Sequence, residues 1–326
     1  MIFQSLNRNS ITAFVLLPLF LLGFWLNSFV GVQSVSFPFS ETPMPLFGLL
    51  LGALKGNHFL STLISMLIAL VMMLGVNRMV NRFGLSNNQT AMPGYLYLFL
   101  VSGYLMAQQL HPVWFFTPLL LLSIERLFSG GPQRKPMAWC FESAFWLSVG
   151  SLFYAKGIYF IILIWMIMFI LRMFTFRSIL ASLIGFVLPY IFAFSYFFLV
   201  GRFTWFADVA IENFISPIAF FSHTIFSQLY NGIIIFLVFL AILAVVRIMP
   251  MVKIITRKYF RIFIWLIVLG IVAALTPYYS LEVVPILAIG ASIILSRFLN
   301  AIRKSVIQEV VFVLLFIMTL AAQFLI

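Results

Sequence analysis

Long apolar runs separated by short polar connections dominate the chain. Most of these runs approach the roughly 20 residues that a helix needs to cross the hydrocarbon core of a bilayer. The pattern predicts an all-α polytopic bundle of about 11 spans within a single integral membrane domain, residues 1–326. The predicted spans are Ile11 to Val30, His58 to Val76, Pro93 to Gln109, Val113 to Ile124, Met137 to Ala155, Ile158 to Arg172, Ile179 to Val200, Gly232 to Ile248, Ile262 to Leu275, Leu281 to Ser296 and Val310 to Phe324.

Two connections are long enough to have structure of their own. The first, Gly31 to Asn57, contains the apolar run Pro45 to Leu54, which is too short to span and should lie on the membrane or dip into it. The second runs from Gly201 to Asn231. Its polar residues recur every four positions and lie opposite a face rich in aromatic side chains. These polar residues are Thr204, Asp208, Glu212 and Ser216. This pattern predicts an interfacial amphipathic helix.

Composition and charge fix the class and the orientation. Hydrophobic residues make up 64% of the chain and charged residues 8%, which excludes a soluble domain because such a surface would expose very large apolar patches. Sixteen of the 19 Lys and Arg residues fall in alternate connections. Because Lys and Arg accumulate on the cytoplasmic side, the amino terminus is predicted in the cytoplasm and the carboxyl terminus outside.

The net charge of +12 therefore indicates one basic bilayer face, with the lipid bilayer rather than nucleic acid as partner. The predicted location is the inner membrane of a cell, with several spans. A single cysteine excludes an intramolecular disulfide and a cysteine-based metal site. No particular cofactor is indicated.

Several polar residues are predicted on the outer side, where they are candidates for chemistry. Lys156 and Arg202 break the positive-inside pattern, so each either binds a phosphate or headgroup or anchors a helix end. Asp208 and Glu212 share one helix face, which either binds a cation or a sugar or is simply the solvated polar face of an interfacial helix. His58 and His111 complete the candidate substrate-binding set, and the histidine spacing supports no metal site.

Two acids have a specific alternative role. Glu41, flanked by prolines in the first outer connection, is either a general base or a solvated loop acid. Glu142 lies within a predicted span, where it either relays protons in a transporter or pairs with an inner cation such as Arg82 or Arg177.

One stretch resembles a known enzyme class. Phe145 to Gly157 reads FWLSVGSLFYAKG, and the cationic turn Arg172 to Arg177 and the segment Gly185 to Pro189 follow it. Together they resemble the middle of GT-C-type glycosyltransferases, polytopic enzymes that move a sugar from a polyprenyl-phosphate carrier on the outer side of the membrane. The resemblance implies a GT-C-like module over residues 11–200 with additional spans over 232–326. It also implies that Lys156 meets the carrier phosphate and that Glu41 is the catalytic base.

The chain as a whole also resembles an uncharacterised family of bacterial inner-membrane proteins. Three functions stay open at this point. A transferase using a polyprenyl-phosphate-linked sugar accounts for the outer acid and outer cations. A non-enzymatic subunit of an envelope complex predicts that these residues can be replaced without loss. A small-molecule transporter predicts interrupted helices in two similar halves, and no such repeat is found in the sequence.

Overall fold

The computed structural model describes residues 11–30, 43–54, 57–86, 88–131, 136–215, 224–276, 279–302 and 304–325. Over these ranges the protein is helical and contains no strand. The helices are α1 (Ile11–Val30), α2 (Pro45–Leu54), α3 (His58–Arg82), α4 (Met92–Ser102), α5 (Leu105–Gln108), α6 (Pro112–Gly130), α7 (Met137–Ser151), α8 (Ile161–Ile170), α9 (Phe176–Leu199), α10 (Phe203–Ile215), α11 (Ile225–Ile248), α12 (Ile254–Ala274), α13 (Val284–Ala301) and α14 (Ser305–Leu325), with 3₁₀ turns at Ala155–Phe160, Met249–Met251 and Leu281–Val283.

Seven helices in the described ranges are long and apolar enough to cross a membrane, namely α1, α3, α6, α9, α11, α13 and α14. They correspond to seven of the predicted spans. The other four predicted spans fall on α4, α7, α8 and α12, which are shorter or carry more charge than a typical spanning helix. The all-helical membrane class is thus confirmed, whereas the number of spans and their direction stay predictions.

Two helices form the centre of the bundle. Every residue of α4 is buried, and 83% of the most apolar window of α13 is buried, although both are surrounded by helices that expose long apolar faces. Close packing here depends on small residues. A Cβ on Gly290 of α13 would lie 2.9 Å from the Phe263 carbonyl oxygen of α12, so any larger residue would push these helices apart.

The two ends of the bundle carry different side chains. At one end, which we call the basic end, Arg82 of α3 contacts Glu125 of α6, and Arg126 contacts Glu142 of α7. Helix α6 runs from there to His111 at its amino terminus. His111 and Glu125 are about 21 Å apart along the axis, given a rise of roughly 1.5 Å per residue. We call the end that contains His111 the opposite end.

The turn that carries His111 is held by side chains rather than by regular structure. Helix α4 stops at Ser102, and its carbonyl oxygen accepts hydrogen bonds from the amides of Gln108 at 3.1 Å and Gln323 at 2.8 Å. The Trp114 indole donates to the carbonyl oxygens of Ala107 at 3.0 Å and of Gln109 at 3.1 Å. Because buried carbonyl groups need partners, these bonds fix the chain entering α6.

Two short helices pack at the opposite end. Helix α2 has the bounds that the sequence predicted, and its buried Phe47 packs with Leu110, beside His111. Helix α10 buries Phe206, Val209 and Ala210. Val209 packs with Ala155, the residue before Lys156. The amphipathic pattern predicted for this segment is therefore present, with its apolar face turned to the bundle.

Candidate functional site

A group of polar side chains is buried at the opposite end of the bundle. Its members come from the start of α6, the connection after α7, the following 3₁₀ turn and the segment before α13. Their exposed fractions lie between 4% and 6%. We call this group the Glu282 cluster, and it consists of His111, Tyr154, Lys156, Tyr279 and Glu282. It is notable because ionisable groups are rarely buried without a partner or a function.

The carboxylate of Glu282 is the centre of the cluster. Its Oε2 atom lies 3.2 Å from Nε2 of His111, and its Oε1 atom accepts a hydrogen bond of 2.6 Å from the hydroxyl of Tyr154. Both carboxylate oxygens are thus occupied by donors from other parts of the chain. Hydrogen bonds of this kind are what allow a carboxylate to be buried.

The hydrogen bonds of His111 indicate which ring nitrogen carries the proton. Nδ1 accepts the backbone N–H of Val113 at 3.2 Å, which makes His111 the N-cap of α6. An accepting Nδ1 leaves the proton on Nε2, where it is donated to Glu282. His111 therefore acts in the cluster as a hydrogen-bond donor to Glu282.

Lys156 supplies the positive charge of the cluster. It lies in the 3₁₀ turn Ala155–Phe160, and the hydroxyl of Tyr279 donates a hydrogen bond of 2.8 Å to its carbonyl oxygen. The neighbouring Gly157 is required because a Cβ there would be 2.4 Å from the ring of Phe116. Burial lowers the pKa of Lys156, and the negative charge of Glu282 offsets part of this effect.

Both tyrosines of the cluster are held in their protonated form. The hydroxyl of Tyr154 donates its proton in the hydrogen bond to Glu282. Burial, followed by the negative charge of Glu282, raises the pKa of Tyr279. Because neither phenol can ionise at physiological pH, each remains a hydrogen-bond donor. The five members of the cluster thus comprise one carboxylate, one amine, one imidazole and two phenols.

The structure brings together two of the residues that the sequence singled out, His111 and Lys156. The others lie elsewhere. His58, Arg202, Asp208 and Glu212 have exposed side chains and are not members of the Glu282 cluster. Glu41, the predicted catalytic base, lies outside the described residues.

Glu282 and its two tyrosine partners were missing from the predicted site. The distribution of charge places Glu282 among the few acids of the outer side, as the second residue of the predicted span Leu281 to Ser296. Its partner Tyr154 is 128 positions away, however, and no spacing rule connects residues so far apart. The one available signal was an acid at the start of an apolar segment, where a carboxylate is costly without a partner.

Glu142 pairs with an arginine at the basic end, as one of its two predicted roles requires, but not with either arginine named for it. Its carboxylate lies 3.3 Å from Arg126 on the adjacent helix, rather than near Arg82 or Arg177, and both side chains of this pair are partly exposed. Arg82 contacts Glu125 instead. Register explains the difference, since α6 and α7 are antiparallel neighbours at the basic end. The pairing is consistent with a surface ion pair that links two helices.

Comparison with known proteins gives no further assignment. No family profile, curated protein or solved structure matches the sequence. Within the described ranges, no three His, Cys, Asp or Glu side chains are grouped closely enough to hold a metal ion. The chemistry of the Glu282 cluster itself is therefore the guide to function. A buried ammonium group beside a carboxylate and hydroxyl donors is suited to binding an anionic group.

Proposed function

We propose that this chain is an inner-membrane protein of about 11 spans that binds a lipid-linked phosphate at its outer face and transfers the attached sugar. The observation that carries the proposal is the burial of Lys156 together with His111 at the end of the bundle opposite the basic end. With the basic end facing the cytoplasm, as the positive-inside rule requires, the Glu282 cluster faces the periplasm.

The surroundings of Lys156 suit a lipid carrier. A polyprenyl phosphate keeps its chain in hydrocarbon and its phosphate at the membrane interface. Lys156 lies at the end of a bundle whose outer faces are apolar, which is the corresponding depth. Helix α10 packs on Ala155 from one direction, and α2 packs on Leu110 from another. These two short helices support the loops that carry Lys156 and His111.

The chemistry of sugar transfer makes use of such a cation. The acceptor hydroxyl attacks the anomeric carbon, the bond from that carbon to the phosphate oxygen breaks, and negative charge develops on the departing phosphate. A preorganised ammonium group in a site removed from water stabilises that charge, often by a factor of about 10² to 10³ in rate. In this proposal Lys156 has that role. Glu41, as the resemblance to GT-C enzymes implies, accepts the proton of the acceptor.

Replacement of Lys156 by Ala tests the proposal. We expect membranes with Lys156→Ala to lose about 10²-fold or more in sugar transfer from a radiolabelled prenyl-phosphate sugar, because the departing phosphate loses its cation. Lys156→Arg should keep part of the activity, since the charge remains. The matched control is Lys253→Ala, which removes an exposed cation from the start of α12.

Glycans on the cell surface and the protein level in the membrane are measured alongside. Unchanged transfer and unchanged glycans in Lys156→Ala, at a normal protein level, would contradict the proposal. That result would favour the reading as a non-enzymatic subunit of an envelope complex.

A further inference from the structure

We propose that Arg172 and Lys258 together bind the phosphate of an anionic phospholipid at the basic end of the bundle. Arg172 follows α8, and Lys258 lies in the second turn of α12. The site lies at the end of the bundle away from the Glu282 cluster and is independent of the sugar transfer proposed above.

Arg172 occupies a backbone position that usually belongs to glycine. Its φ is 63°, and no other described residue except glycine has a positive φ. The N–H of Arg172 donates to the carbonyl oxygen of Phe169 at 3.1 Å, and the N–H of Met173 donates to that of Met168 at 2.8 Å. These two bonds form a Schellman motif, in which the left-handed residue is usually glycine because a Cβ is strained there.

Two other helices end on a left-handed residue, and both use glycine. At the end of α9 the N–H of Arg202 donates to the carbonyl oxygen of Phe197, and the left-handed residue is Gly201, with a φ of 72°. Helix α3 is followed by Gly84, with a φ of 61°. Because Arg202 directly follows the glycine, a cation can lie near the negative end of a helix without the strain. The strain at Arg172 therefore indicates a role for its side chain.

The end of α6 brings the two cations to the same part of the molecule. A Cβ added to Gly131, the C-cap of α6, would lie 3.6 Å from the side chain of Leu171. One turn earlier, Phe128 stacks on Tyr259 with 4.0 Å between the ring centroids. Leu171 and Tyr259 are the chain neighbours of the two cations, and α8 packs directly against α12.

The two cations repel each other. Lys258 lies outside the predicted span, which begins at Ile262. Burial, followed by the positive charge of Arg172, lowers the pKa of Lys258. Within the ranges that the structure describes, neither cationic group has an ion pair or a side-chain hydrogen bond. A bound anion would relieve this repulsion.

The acids of the chain are placed elsewhere. Glu125 and Glu142 already contact other arginines. Glu309 lies on α14, which packs mainly against α4 and α11. Glu41, the one acid outside the described residues, precedes Met44 by three positions, and Met44 packs at the opposite end. The anion that fits between the two cations is therefore a ligand.

Exposed aromatic side chains beside Arg172 make a lipid the fitting ligand. Phe169, Phe174 and Phe176 are 70%, 47% and 81% exposed. A phospholipid has acyl chains that cover such side chains and a phosphate whose oxygens suit a guanidinium group. The basic end is predicted to face the cytoplasmic leaflet, which is rich in anionic lipids.

The experiment uses the full-length protein in dodecyl maltoside, a neutral detergent, and dioleoyl phosphatidylglycerol as the probe. Native mass spectrometry measures the affinity. We expect Arg172→Gly to bind the probe about tenfold more weakly than the wild type, because a charge-assisted bond to the phosphate is lost. In detergent without lipid, the same variant should unfold at a higher temperature than the wild type, because glycine relieves the left-handed strain. Loss of binding with a gain in stability distinguishes a ligand site from a structural role.

Three further variants complete the set. Lys258→Met should also bind the probe about tenfold more weakly, and it is the deciding variant where Arg172→Gly does not give a monodisperse protein. Arg172→Lys keeps the charge and should bind more tightly than Arg172→Gly. The matched control is Lys253→Ala, which removes an exposed cation from the N-cap of α12 and should bind like the wild type.

Four outcomes would contradict the proposal. Equal affinity for the probe in the wild type, Arg172→Gly and Lys258→Met would overturn the site. Equal affinity of the wild type for dioleoyl phosphatidylcholine would overturn the preference for an anionic headgroup. Displacement of the probe by an equal concentration of glycerol 3-phosphate would assign the site to free phosphates instead of lipids. A lower unfolding temperature of Arg172→Gly without lipid would overturn the strain from which the role of Arg172 is inferred.

Discussion

The two ends of the bundle contain side-chain contacts to a carboxylate at similar distances in very different surroundings. At the basic end, Arg126 lies 3.3 Å from Glu142, and the two side chains are 39% and 41% exposed. At the opposite end, His111 lies 3.2 Å from Glu282, and the side chains are 6% and 4% exposed. The distances are nearly equal. Exposure therefore decides what each contact contributes to stability.

Solvent screens the pairs at the basic end. Exposed ion pairs contribute about 0–1 kcal/mol, because water solvates each charge nearly as well as its partner does. The side chains of the Glu282 cluster are buried and therefore not solvated by water, so each member needs the others as hydrogen-bonding or electrostatic partners. Retaining so costly an arrangement near hydrocarbon is what points to a function there.

The largest expected effect comes from removing one charge of the Glu282 cluster. Lys156→Met and Glu282→Gln should each lower the free energy of unfolding by about 3–5 kcal/mol, because each removes one of two opposite buried charges that interact electrostatically. The double variant should lose less than the sum of the two. Denaturant titration of the protein in detergent measures all three.

A double-mutant cycle at the basic end is the matched comparison. Arg126→Met, Glu142→Gln and their double variant should give a coupling energy of about 0.2–1 kcal/mol. Equal coupling at both ends would remove the contrast between them, and strictly additive effects of Lys156→Met and Glu282→Gln would show that these two residues do not act as a pair.

A smaller effect is expected from the tyrosines, and it distinguishes a charged acceptor from a neutral one. Tyr154→Phe removes a hydrogen bond to the Glu282 carboxylate and should lower the free energy of unfolding by about 1.5–3 kcal/mol. Tyr279→Phe removes a bond to the Lys156 carbonyl oxygen and should lower it by about 0.5–1.5 kcal/mol. The same denaturant titration compares them. A larger loss in Tyr279→Phe would place the centre of the cluster away from Glu282.

A comparison of two His111 variants separates the stability contributions of its two hydrogen bonds. Both His111→Asn and His111→Ala remove the donor to Glu282, but Asn can still accept the N–H of Val113 and cap α6. We expect His111→Ala to be less stable than His111→Asn by about 1 kcal/mol, the usual size of an N-cap. Thermal unfolding followed by circular dichroism measures the difference. Equal stability would mean that His111 contributes through Glu282 alone.

The sequence was sufficient for those parts of the fold that depend on local pattern. The bounds of α2, the amphipathic face of α10 and the apolar core of α6 all follow from apolar periodicity. The end of α6 does not. The predicted span stopped at Ile124, whereas the helix continues to Gly130 through Glu125 and Arg126, because charged residues at a membrane surface end an apolar run without ending a helix.

The candidate site was predictable only in part, for a physical reason. Lys156 stood out because it breaks the distribution of charge, which is a property of the sequence alone. Burial and pairing are properties of the packed bundle. Locally, Glu282 differs from the exposed Glu212 only in its place at the start of a predicted span, which does not reveal a partner. Only the approach of Tyr154 and His111 gives Glu282 its surroundings.

The smallest change in unfolding free energy is expected from a single substitution at the basic end. Arg126→Gln should lower the free energy of unfolding by less than about 1 kcal/mol, and the loss should shrink further as salt is added. At 0.1 M ionic strength the Debye length is already about 10 Å, so exposed charges interact only when nearly in contact. Denaturant titrations at low and at high salt compare Arg126→Gln with Tyr154→Phe, whose loss should not depend on salt because the bond is buried. If the loss of unfolding free energy in Arg126→Gln did not depend on salt, solvent would not be screening the basic end as its exposure indicates. The contrast between the two ends would then need an explanation other than solvent screening.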